Sequence, residues 1–154
     1  MTWPHDDTQS LIAFYGKPWI DSSLLVDVTP PFVMKYESAI VHGLLVHNKI
    51  AVALSTALKT IWDHYGNDQH IIDATGISNY SGSYNYRSVR GAGNLSCHAF
   101  GAALDFDAEN NPLGAAHGSM ARPCIDAFKS VGAVWGGDFI HRKDWMHFQF
   151  ANEG

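Results

Sequence analysis

The sequence has no cluster of lysine and arginine, no long apolar run and only two cysteines, and each shortage removes a class of function. Ten Lys and Arg stand against 15 Asp and Glu, for a formal net charge of -5. Nucleic-acid binding draws most of its affinity from clustered positive charge, so no nucleic-acid partner is expected. No apolar stretch approaches the roughly 20 residues that span a bilayer, so no membrane insertion is expected. The first twenty residues carry Pro4, Asp6, Asp7 and Pro18 and lack the basic start and apolar stretch of a secretory signal, so the product is expected to be cytoplasmic when synthesised. Cys97 and Cys124 are too few for a disulfide framework and are not spaced as a zinc ribbon, so they read as two buried thiols. No Gly-x-Ser-x-Gly motif offers a serine nucleophile.

What remains is a chain of 154 residues, 46% hydrophobic and 16% charged, which suits one globular domain spanning 1–154 with a buried core. Residues 1–35 scatter Pro4, Pro18, Pro30 and Pro31 among apolar residues and are expected to wrap the domain as coil and short turns. From His47 to Tyr65, Ile50, Leu54, Leu58, Ile61, Trp62 and Tyr65 recur every three or four residues, which predicts an amphipathic helix ending near Gly66. A short strand is expected at 71–74, followed by a polar loop to Arg90. Further strands are expected at 102–107 and about 147–150, with a helix at 122–131 opened by Pro123 and closed by Gly132. The fold class is α+β with a small, mainly antiparallel sheet and flanking helices.

Nine histidines direct attention to metal chemistry. His98 and Asp105 lie seven residues apart around Gly101, and a loop running into a strand can bring both to one point. His147 enters the last strand with Asp144 three residues before it. Imidazole nitrogen and carboxylate oxygen are both good zinc ligands, and three protein ligands leave a fourth position for water or substrate, as in catalytic rather than structural sites. Asp144 is then placed to accept a proton from water. Taken singly, each residue has a plainer reading: a hydrogen-bonded histidine, a strand-end carboxylate, or an aspartate paired with Arg142 or Lys143. Asp107, two residues beyond Asp105, is a rival ligand, whereas Cys97 is expected to point away from His98. Asp138 and His141 are candidates to line a cleft, and Trp135, Trp145 and Phe148 to pack around the site.

The pattern Ser-x-His-x-x-Gly-x-Ala-x-Asp at 96–105, then Trp135-Gly136-Gly137-Asp138 and Asp-x-x-His-Phe at 144–148, resembles the zinc D-Ala-D-Ala carboxypeptidases of the VanY type. That family includes phage L-alanyl-D-glutamate endolysins and shares the hedgehog/DD-peptidase fold. The resemblance implies one catalytic zinc held by His98, Asp105 and His147, and it decides for Asp105 over Asp107. It implies Asp144 as catalytic base, where phage-type endolysins often have Asp and many relatives Glu. It also implies Ser96 orienting the loop or the substrate, and Arg87, with Arg90 as the alternative, binding the scissile carbonyl oxygen or a substrate carboxylate.

The implied function is hydrolysis of peptidoglycan stem peptides, and a monomer is the default expectation. An L-alanyl-D-glutamate endopeptidase of phage or prophage origin, reaching the wall through another protein, is the expected form. The alternatives are a D-Ala-D-Ala carboxypeptidase and, from another class, a zinc-bearing binding module without catalysis.

Overall fold

The computed structural model describes residues 2–18, 22–85 and 95–153. Helix α1 (Thr8–Tyr15) is followed by β1 (Leu25–Val28), the hairpin β2 (Lys35–Tyr36) and β3 (Ala39–Ile40), and β4 (Leu44–His47). Next come α2 (Ala51–His64), α3 (Gln69–Thr75), β5 (Tyr80–Gly82), β6 (Ala103–Phe106), α4 (Arg122–Ser130), β7 (Val134–Trp135) and β8 (His147–Gln149). The main sheet has the order β5-β6-β8-β7 and is antiparallel throughout, while β1 pairs with β4 in a separate antiparallel ladder. The fold is α+β, as the sequence predicts.

The helix expected from the apolar stripe is α2, which buries Leu54, Ala57, Leu58 and Ile61, with His47 contributed instead to β4. It packs on α4, whose first turn holds Pro123 and whose buried face is Cys124, Ile125, Ala127 and Phe128. Phe128 stacks on Phe148 with ring centroids 4.3 Å apart, and Phe106 closes on both. Strand alternation therefore sends Leu104, Phe106 and Phe148 into the core, all fully buried, and turns Asp105, His147 and Gln149 to the other face.

Two expectations need correction. Residues 71–74 lie in helix α3, not in a strand. Asp68 accepts hydrogen bonds from the backbone N–H of His70 and Ile71, and Gly76 ends the helix, so the local caps outweigh two adjacent isoleucines of which only Ile72 is buried. The sheet strand β5 lies later, within the stretch expected to be loop. The opening segment is also more regular than coil. Asp7 caps α1 by accepting from Ser10 N–H and Ser10 Oγ, and 25–28 pairs with β4. This segment is tied to the chain's end, since Asp6 N–H donates to the Asn152 carbonyl, Trp3 Nε1 to Val131 and the Tyr15 hydroxyl to Phe150.

Between the 3₁₀ turn Cys97–Phe100 and β6, Gly101 adopts φ 68°, and a Cβ there would stand 2.7 Å from the His47 backbone nitrogen. Both the conformation and the contact demand glycine. Gly101→Ala is expected to cost about 2 kcal/mol or more, read as a lower denaturant midpoint at unchanged slope; a midpoint equal to that of the unsubstituted protein would show that the turn relaxes freely.

Candidate metal centre

The β6–β8 register sets Asp105 directly opposite His147, so the two side chains leave the same face as a cross-strand pair. His98 reaches them from the 3₁₀ turn, whose first backbone groups are capped by Ser96: its Oγ accepts from His98 N–H at 3.2 Å. One donor atom from each of His98, Asp105 and His147 lies within 4.8 Å of the others, and both imidazoles are almost wholly buried. Asp105 has 18% of its side chain exposed and opens into a cleft of about 380 Å³. The three residues expected as ligands are thus brought to one point.

Hydrogen bonding settles which ring nitrogens face that point. His98 Nδ1 is 2.6 Å from the Ser83 carbonyl, which can only accept, so Nδ1 carries the hydrogen. Its Nε2 is buried, makes no hydrogen bond, and lies 3.3 Å from Asp105 Oδ2. Gln149 spends its amide nitrogen on Asp6 Oδ2 and the Ala151 carbonyl, leaving Oε1 to accept from His147 Nε2 at 2.9 Å. His147 Nδ1 then faces Asp105 Oδ1 at 3.0 Å. With neutral rings, two nitrogen lone pairs and a carboxylate converge with no hydrogen among them, an arrangement that requires a cation. Separations of 3.0 and 3.3 Å also match the roughly 3.3 Å between ligands on a tetrahedral zinc shell with bonds of about 2.0–2.1 Å. The donor set fits a zinc ion.

A proton answers the same demand when no metal is bound. Burial works against a charge on His147, but the hydrogen bond and charge of Asp105, with Asp144 nearby, lift its pKa to about 9. Burial likewise works against the Asp105 carboxylate, yet the hydrogen bonds and charges of His147 and His98 hold it well below the usual carboxylate range.

Asp144 stands just outside the cluster, with Oδ2 3.9 Å from His147 Nδ1 and 21% of its side chain exposed. The two glycines before it build its seat. Gly136 accepts the Asp144 N–H through its carbonyl, and a Cβ on Gly136 would come within 2.2 Å of the Asp144 carbonyl oxygen. A Cβ on Gly137 would strike the Trp135 ring, which itself donates to the Trp145 carbonyl at 3.0 Å. Trp135-Gly136-Gly137 therefore acts on Asp144 by allowing close backbone approach.

Asp107 is not at the centre. The chain leaves β6 there with φ 53°, and the buried carboxylate accepts from the amides of Asn79 and Asn110, anchoring the following loop. Cys97 points away from His98 and donates its thiol hydrogen to Asp6 Oδ1, while burial, with Asp6 beside it, pushes its pKa well up. Cys124 is buried and free as expected, its thiol pushed up to about 11 by burial. Asp138 pairs with Lys129 at 2.8 Å on the exposed surface. Arg87 and Arg90 lie outside the described residues. Sequence reasoning missed Ser83, Gln149 and Asp6. Gln149 had a signal, since it sits two residues beyond His147 on one strand face; a backbone carbonyl at 83 and a side chain at position 6 had none.

In metal-free protein, the folded pKa of His147 stands above its ordinary 6.5, so its stabilisation is complete below about pH 6.5 and fades as pH rises through about 9. Asp105, depressed in the fold, contributes above its ordinary 3.8 and loses that contribution as pH falls through its folded value. Denaturant melts of chelator-treated protein are expected to weaken steadily from pH 6.5 to 9, and a flat profile over that range would contradict the pairing.

Against known proteins, no curated protein and no solved structure gives a match to the chain. Residues 90–150, the segment that holds His98, Asp105, Asp144 and His147, match a family model described as D-alanyl-D-alanine carboxypeptidase, and in this segment the chain is similar to that peptidase family.

Proposed function

We propose that this chain is a zinc metallopeptidase of peptidoglycan stem peptides, with His98, Asp105 and His147 holding the ion and Asp144 as general base. The observation that carries the reading is the convergence of one ring nitrogen from each of His98 and His147 on the Asp105 carboxylate, with the opposite ring nitrogens engaged by the Ser83 carbonyl and Gln149. The family match over the same segment supports it independently.

A bound zinc ion supplies Lewis acidity toward a carbonyl and brings the pKa of water down to about 7. The residues of the chain do the rest. Asp144 accepts a proton from water as it attacks the amide carbon, holds that proton at its carboxylate, and returns it to the leaving nitrogen. Its place beside the ligand cluster, with Oδ2 3.9 Å from His147 Nδ1, suits this transfer and favours catalysis over a binding module. The cleft runs along β5, the edge strand of the main sheet, where Tyr36, Tyr80, Ser81 and Asn85 line the approach to His98 and Asp105. Such a wall of tyrosine faces and small polar groups suits a peptide held alongside the sheet edge. Ser96 orients the loop that carries His98, and Arg87 is the proposed partner of the substrate carbonyl or carboxylate.

More narrowly, the aspartate at 144 supports an L-alanyl-D-glutamate endopeptidase acting as a phage or prophage endolysin that reaches the wall with the help of another protein. The description of the matched family favours a second reading, a D-Ala-D-Ala carboxypeptidase. Digestion of purified peptidoglycan is expected to give new D-Glu amino termini; released D-Ala in their place would establish the carboxypeptidase.

Elemental analysis is expected to find about one zinc per chain, lost from both His98→Ala and His147→Ala. Full occupancy in either variant would remove that histidine from the ligand set. Asp144→Asn is expected to keep zinc while turnover falls about 10²–10⁴-fold, and unchanged turnover would take Asp144 out of the base role.

A further inference from the structure

The Asp6 carboxylate touches both segments that carry the imidazoles. Its Oδ2 accepts from Gln149 Nε2 at 3.0 Å, and Gln149 Oε1 accepts from His147 Nε2 at 2.9 Å. Its Oδ1 accepts from the thiol of Cys97, the neighbour of His98, at 3.3 Å. Asp6 is held in turn by its own backbone N–H on the Asn152 carbonyl, just beyond β8, next to the bridge between His5 and Asn152. Gln149 is 2% exposed, and every polar atom of its side chain is engaged, so its amide has one orientation. An amide fixed in this way forces the His147 hydrogen onto Nε2 and leaves Nδ1 bare toward Asp105.

We propose that Asp6 and Gln149 are positioning residues for the metal centre: an N-terminal clamp that fixes the tautomer and ring direction of His147 and joins its strand to the turn bearing His98. The inference rests on the zinc reading above. A carboxylate behind an amide behind an imidazole also draws the Nε2 hydrogen outward, which makes Nδ1 a better donor to a cation. Asp6 is itself an exposed residue, so its substitution removes the clamp without opening the core.

The test is zinc affinity by chelator competition on the full chain, with circular dichroism and thermal melts as the check on folding. Asp6→Ala is expected to fold and to bind zinc about tenfold more weakly. Asp6→Asn keeps an oxygen for the Gln149 amide and is expected to recover part of that loss. Gln149→Leu is expected to weaken binding about 10–100-fold, and adding Asp6→Ala to it is expected to weaken binding little further, because the two act in series. Nitrogen-15 spectra of the histidine rings give an independent reading: His147 is expected to hold one tautomer in the unsubstituted protein and a mixture in Gln149→Leu. Zinc affinity of Asp6→Ala within twofold of the unsubstituted protein, or losses that add fully in the double variant, would overturn the clamp while leaving the metal site standing. Absence of zinc binding by the unsubstituted protein would overturn both.

Discussion

The centre of this molecule is one carboxylate between two imidazoles. Asp105 lies 3.0 Å from His147 Nδ1 and 3.3 Å from His98 Nε2, and the hydrogens of both rings are committed elsewhere. Such a cluster cannot be neutral and content. It needs a metal ion or a proton, and the raised pKa of His147 and the depressed one of Asp105 are two expressions of that need. Much of the surrounding structure serves to hold these three groups together despite it.

The holding is done by two layers of opposite character. On the core side, Leu104, Phe106 and Phe148 alternate with Asp105 and His147 along β6 and β8, and the stacked Phe128 and Phe148 rings lock the sheet to α4. A slip of one residue in this register would bury the carboxylate and expose the aromatics, so packing of the apolar face fixes the polar one. On the other side the ligands are set by hydrogen bonds: the Ser83 carbonyl on His98, Gln149 on His147, and Asp6 reaching both segments. Hydrophobic burial gives the position of each backbone, and hydrogen bonding gives the orientation of each ring.

Glycine at 136 connects this centre to Asp144. The backbone at 144 passes where a side chain on 136 would stand, and the Gly136 carbonyl takes the Asp144 N–H. A backbone contact between a turn and the segment before β8 thus helps to set the distance from Asp144 to His147. This explains why a Trp-Gly-Gly motif can matter to a site that none of its side chains enters.

The sequence by itself determined the α+β class, helices α2 and α4, strands β6 and β8, and the grouping of His98, Asp105, Asp144 and His147. Those elements have long or regular apolar patterns, and those residues sit in short, distinctive spacings. It misled at 71–74, where two isoleucines suggest a strand but Asp68 and Gly76 cap a helix, and in the opening segment, where α1 depends on the local cap of Asp7. It left β5 inside an apparent loop because Tyr80–Gly82 has no apolar alternation to reveal it. Only the tertiary structure decided which nitrogen of each histidine faces the centre, that Asp107 turns away to anchor a loop, and that Asp6 reaches Gln149 across 143 positions of chain. These are contacts between groups far apart in sequence, made by a backbone carbonyl, an amide and a carboxylate whose partners no local pattern specifies.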